Sequence, residues 1–78
     1  MPKEITYDPN DPKSMEEAIK KFLMLATNAS ECRVKKIKKS NLVKLKLRLK
    51  RYLYTLKLPE DKAREVLKLI KCPIRELP

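Results

Sequence analysis

Acid–base, nucleophilic and metal chemistry draw on a short list of side chains, and this 78-residue chain is poor in them. It has no histidine and no glycine, two cysteines and ten carboxylates. Without histidine the commonest proton shuttle is missing, and neither Cys32 nor Cys72 has a base to activate it. Without glycine there is no Gly-rich loop to cradle a phosphate. The adjacent carboxylates, Glu16-Glu17 and Glu60-Asp61, sit where helix starts account for them. A structural zinc needs four nitrogen or sulfur ligands, which two thiols do not supply. No catalytic residue, no metal ligand, no cofactor and no enzymatic role are therefore assigned. Cys32 and Cys72 could form a single bridge, but one bridge is not a disulfide framework and no secretory signal is present. Reduced, partly buried thiols are the expectation.

What the chain does have is positive charge. Twenty Lys and Arg face ten Asp and Glu, a net +10. The excess is concentrated in Cys32–Leu58, which carries eleven cations and no acid. The rest of the chain holds nine cations against ten acids. A solvated surface normally interleaves both signs, so an acid-free block of this length points to a polyanion. No run approaches the roughly 20 apolar residues of a membrane span.

The elements that must carry this charge follow from periodicity. Val43, Leu45, Leu47 and Leu49 alternate with Lys44, Lys46, Arg48 and Lys50. A period of two puts the apolar set on a core face and the cations on the opposite one. Tyr52–Leu58 reads as the next strand, with Tyr52, Tyr54, Leu56 and Leu58 on one side. Setting Leu47 against Tyr54, Leu45 against Leu56 and Val43 against Leu58 keeps every apolar partner on one face, whereas a slip of one residue loses it. A tight turn around Lys50-Arg51 joins the two strands. Cys32–Lys39 is a third, basic strand, but Val34 and Ile37 are three residues apart. Either one of them points outward or a bulge shifts the phase.

Helices flank these strands. Met15, Ala18, Ile19, Phe22, Leu23 and Ala26 repeat at three and four residues, with Ser14 and Glu17 as a capping box and Asn28 expected in a left-handed closing position. Pro59-Glu60-Asp61 opens a second helix, with Ala63, Val66, Leu67 and Ile70 on its apolar face. Residues 1–13, with prolines at 2, 9 and 12, read as an N-terminal arm in which Glu4–Tyr7 could add a short strand. Ile74–Pro78 is a tail that pairs at an edge or simply packs. The expected fold class is α+β. Residues 14–78 form a single domain of helix, three-stranded antiparallel meander and helix, in two layers with one open cationic sheet face. Tyr52 and Tyr54 are the candidates for base stacking, but their register puts them on the core face, which favours a structural role.

At this point specific residues resemble a known family. Val43-Lys44-Leu45-Lys46-Leu47-Arg48, two residues, then Arg51-Tyr52-Leu53-Tyr54-Thr55-Leu56 is similar to the V-K-F-K-V-R … R-Y-L-Y-T-L core of the eukaryotic large-subunit (60S) ribosomal protein family numbered thirty-eight. Ile19-Lys20-Lys21-Phe22-Leu23 resembles its first helix, Val34-Lys35 its first basic strand, Asp61-Lys62-Ala63 the start of its second helix, and Arg75-Glu76-Leu77 its closing K-E-L. The likeness covers residues 15–77. It departs at Thr6–Ser14, where about ten residues intervene before the helix, at Leu49-Lys50 in the turn, and at Val34–Ile37. The resemblance implies a structural constituent of the cytosolic large ribosomal subunit, in the cytoplasm, with ribosomal RNA and neighbouring ribosomal proteins as partners. No membrane, no homo-oligomer and no catalysis are expected of it. The residues proposed to meet phosphates are Lys35, Lys36, Lys38 and Lys39 on the first strand, Lys44, Lys46 and Arg48 on the second, and Lys50 and Arg51 at the hairpin end. The competing reading is a basic adaptor that docks on anionic membranes or acidic proteins.

Overall fold

A computed structural model describes residues 2–37, 39–72 and 74–77, without the side chains of Pro2, Glu76 and Leu77. The elements in chain order are β1 (Pro2–Ile5), α1 (Pro12–Ala26), β2 (Glu31–Lys36), β3 (Leu42–Arg48), β4 (Leu53–Pro59), α2 (Glu60–Leu69) and β5 (Ile74–Leu77).

The three central strands are antiparallel in the register that the apolar alternation dictates: Leu47 lies opposite Tyr54, Leu45 opposite Leu56 and Val43 opposite Leu58. The sheet, however, is not a three-stranded meander. It has five strands in the order β1-β4-β3-β2-β5, with β1 parallel to β4 and β5 parallel to β2. The expected architecture is corrected on this point, and the sheet is mixed. The physical reason is that both added strands are four residues long, too short to display a period. They pair with segments far away in the chain. The proline of β1 is tolerated because that strand lies at an edge.

Two crossovers result, β1-α1-β2 and β4-α2-β5. Each joins parallel strands and passes over two others, and both helices lie on one face of the sheet. The core lies between them. Phe22, Leu45, Leu47, Leu56, Leu58, Val66 and Cys32 are its largest fully buried side chains. Ile5, Ala18, Ala26, Val34, Val43 and Ala63 complete it.

Helix ends differ from expectation in a consistent way. α1 starts at Pro12 rather than after Ser14, because Asp11 is the N-cap and accepts from the Lys13 N–H at 3.0 Å. Ser14 instead accepts from the Asp8 N–H at 2.9 Å, which fixes the preceding loop. No described residue takes a positive φ. α1 closes with i→i−3 bonds, Asn28 N–H to Leu25 C=O and Ala29 N–H to Ala26 C=O, and the Thr27 hydroxyl donates to Met24 C=O at 2.7 Å. α2 begins directly after Pro59, with Glu60 and Asp61 in its first turn.

Candidate nucleic-acid interface

The helix-free face of the sheet is built by the same alternation that builds the core. Each buried residue of β2, β3 and β4 sends its neighbours to the other side, so Arg33 and Lys35 of β2, Lys44, Lys46 and Arg48 of β3 and Lys57 of β4 share the outer face. β5 adds Arg75, which lies beside Arg33. The register sets like charges directly opposite one another four times: Lys35 with Lys44, Arg33 with Lys46, Lys44 with Lys57, and Arg33 with Arg75. Adjacent strands are about 4.8 Å apart and same-face neighbours about 6.7 Å, so these cations form a close two-dimensional array.

Energetics decide why the fold accepts this. A like-charge cross-strand pair costs on the order of 0.2–1 kcal/mol. Burying one leucine is worth about 1.5–3 kcal/mol. Leu45, Leu47, Leu56 and Leu58 on the opposite side of the same two strands outweigh the repulsion, so the core sets the register and the cations follow.

Among the described residues, acids temper the array only at its rims. Glu31 takes Arg33 at 3.1 Å and Arg75 at 3.4 Å, and Glu4 takes Lys57 at 3.8 Å. Lys35, Lys44, Lys46 and Arg48 make no ion pair among the described residues. Lys44 and Lys46 are half-buried, with their stems among neighbouring side chains.

The sequence-derived candidates divide accordingly. Lys35, Lys44, Lys46 and Arg48 come together on the outer face. Lys36 does not: it lies opposite Val43 on the helix side and pairs with Glu60 at 3.9 Å. β2 runs without a bulge to Lys36 and stops before Ile37, whose N–H donates to Leu42 C=O. The spacing of Val34 and Ile37 therefore reflects the end of a strand rather than a shift of phase. Lys39 is exposed in the β2–β3 turn, and Lys50 and Arg51 are exposed at the far end of β3. Lys38 lies outside the described residues. Arg33, Lys57 and Arg75 were not among the candidates. Strict alternation about Val34 and Leu58 would have indicated the first two, whereas Arg75 reaches the face only through the non-local pairing of β5.

Tyr54 packs against the core, and Tyr52 lies 6.1 Å from it, ring centroid to centroid. The Lys3 ammonium sits 4.3 Å over the Tyr52 ring. The two tyrosines thus meet on the helix side, away from the cation array.

The model of the ribosomal L38e protein family matches residues 11–72. The chain belongs to the ribosomal L38e family. It is 45% identical over 69 residues to the large ribosomal subunit protein eL38 of Aeropyrum pernix, which covers 88% of this chain and 94% of that protein. The L38e match takes in β2, β3, β4 and α2 entire, and so nearly all of the cation array. β1 and β5 lie outside the matched residues.

Proposed function

We propose that this L38e member is a structural constituent of the large ribosomal subunit, resident on cytoplasmic ribosomes. It binds ribosomal RNA through the outer face of its sheet and acts without catalysis. The observation that carries this reading is the set of four like-charge pairs on one open face, which an anionic partner would relieve. The name of the Aeropyrum pernix relative supports the choice of subunit. Lys35, Lys44, Lys46 and Arg48 are the central phosphate contacts, Lys39 extends them at one end of the sheet, and Lys50 and Arg51 at the other. Arg33, Lys57 and Arg75 are recruited when RNA competes with Glu31 and Glu4. Contacts of this kind position a protein on RNA shape rather than read its bases.

Two measurements test this. In sucrose gradients of cell lysate, the protein should travel with the large subunit and be released by high salt or RNase. Recovery at the top of the gradient at moderate salt would overturn the assignment. With purified protein and ribosomal RNA, the slope of log affinity against log salt should become shallower by roughly 0.7–0.9 for each contact removed in Lys44→Ala/Lys46→Ala. Lys20→Ala/Lys21→Ala on the exposed side of α1 should leave the slope unchanged. Equal slopes in both double mutants would remove the sheet face from the proposal.

A further inference from the structure

The two edges of the sheet are held in different ways. β1 is anchored by the core: Ile5 is buried, and two residues on the Tyr7 hydroxyl donates to Lys57 C=O at 2.7 Å. β5 has no comparable anchor among its described side chains. Ile74 is 46% exposed and the Arg75 side chain 69% exposed. Among the described residues, what ties β5 down beyond four ladder positions and the Arg75–Glu31 pair is covalent. Cys32 of β2 is joined by a disulfide to Cys72, two residues before β5, with the Cα atoms 6.2 Å apart. Cys32 also lies directly opposite Ile74 in the ladder. The expectation of two free thiols is thereby revised.

We propose that the Cys32–Cys72 disulfide is a redox-controlled latch on β5. Oxidised, it holds the strand against β2. Reduced, it lets the C-terminal segment leave while the β2–β3–β4 core stays folded. Cys72 is half-buried rather than enclosed, and in the thiol-buffered cytosol of a mesophile, the compartment of the proposed function, such pairs serve redox sensing more often than architecture. The chemistry is a two-electron exchange with a dithiol reductant. Its first thiolate attacks the Sγ of Cys72, the more accessible of the two sulfurs, because Cys32 is only 2% exposed. The Cys32 sulfur leaves as a thiolate and takes up a proton. The second thiolate of the reductant resolves the mixed disulfide, which frees Cys72 and leaves the reductant as its own disulfide. Release of β5 withdraws Arg75 from the cation array, returns Glu31 to Arg33 alone, and opens the edge of β2. The geometry that carries this is independent of whether RNA binds the outer face.

The test is amide hydrogen exchange, resolved by residue, on the full chain in its oxidised and dithiothreitol-reduced forms, with the thiol count of each checked by alkylation and intact mass. The oxidised form should take up no alkyl group and the reduced form two. On reduction, exchange should quicken at least tenfold in 74–77 and in those β2 amides that face β5. Amides of β3 and β4 should keep their protection. Cys72→Ser, which leaves the buried Cys32 in place, should reproduce the reduced pattern without reductant. Identical exchange in both forms would show that the ladder alone holds β5. Loss of protection in every strand together would make the bridge a staple of the whole fold, and failure of the bridge to form in oxidising glutathione would remove the latch altogether. Each of these three results overturns the proposal.

Discussion

Lys44 has a cation opposite it on both sides, Lys35 on β2 and Lys57 on β4, while its neighbours Val43 and Leu45 are almost completely buried. Its position is thus dictated by the burial of its two sequence neighbours. Removing it relieves repulsion without touching the core, so Lys44→Ala should leave the stability of the free protein unchanged or slightly higher in urea unfolding, even as, on the proposed function, it weakens RNA binding. Phe22 is the opposite case. It is fully buried in α1, and Phe22→Ala should cost about 3–5 kcal/mol, which approaches the whole stability of a domain this small. Tyr7 lies between these extremes. Burial raises the pKa of its phenol above the ordinary 10.0, and its hydroxyl donates to a backbone carbonyl. A raised folded-state pKa contributes stability that is fully present below pH 10 and is lost as pH climbs through the folded value. Tyr7→Phe should therefore cost about 1 kcal/mol at neutral pH. It should also flatten the alkaline loss in a comparison of urea midpoints from pH 8 to 11.

At the scale of elements, the N-terminus of α1 distinguishes two sequence cues that look alike. Asp11 and Ser14 are both good capping residues, three apart, and only Asp11 accepts a bond from the first turn. Asp11→Ala should cost on the order of 1 kcal/mol and lower helix content measured by circular dichroism. Ser14→Ala should instead loosen the Asp8–Asp11 loop, read as faster amide exchange at Asp8, whose N–H is the donor to Ser14. A larger loss of helicity from Ser14→Ala than from Asp11→Ala would reverse this assignment. The sheet edges divide in the same manner: the edge of β1 is anchored by the buried Ile5, and the edge of β5, whose described side chains Ile74 and Arg75 are exposed, is cross-linked through Cys72.

For the molecule as a whole, the decisive quantity is the net charge of +10 within a radius of gyration of 11.6 Å. Apart from the half-buried Arg33–Glu31 pair, the ion pairs among the described residues are surface pairs, each worth little, while the cations of the outer face repel across four strands. Salt should therefore stabilise the free protein. Between 0.01 and 0.15 M ionic strength the screening length falls from about 30 to about 8 Å, and the thermal midpoint should rise over that range. A falling midpoint would mean that ion pairs, rather than the buried leucines, hold the fold. On the proposed function, ribosomal RNA should produce the same stabilisation at low salt by supplying the counter-charge.

The alternation of Val43 to Lys50 was sufficient by itself to place β3, its register with β4 and the cations of its outer face, because a period of two couples each side chain to its neighbour's burial. The helical repeats of Met15–Ala26 and Ala63–Ile70 identified both helices for the same local reason. Family membership was legible in the Arg51–Leu56 segment. What only the tertiary structure decided was non-local. Residues 2–5 and 74–77 are too short to reveal a period, and they become strands only because β4 and β2 present unpaired edges to them. Lys36 looked equivalent to Lys35 while the phase of β2 stood open, and unbroken alternation as far as Lys36 puts it beside Val43 and within reach of Glu60. Arg75 joins the array, and Cys72 finds Cys32, only once a crossover helix has carried the chain back across the sheet. No sequence spacing encodes that meeting.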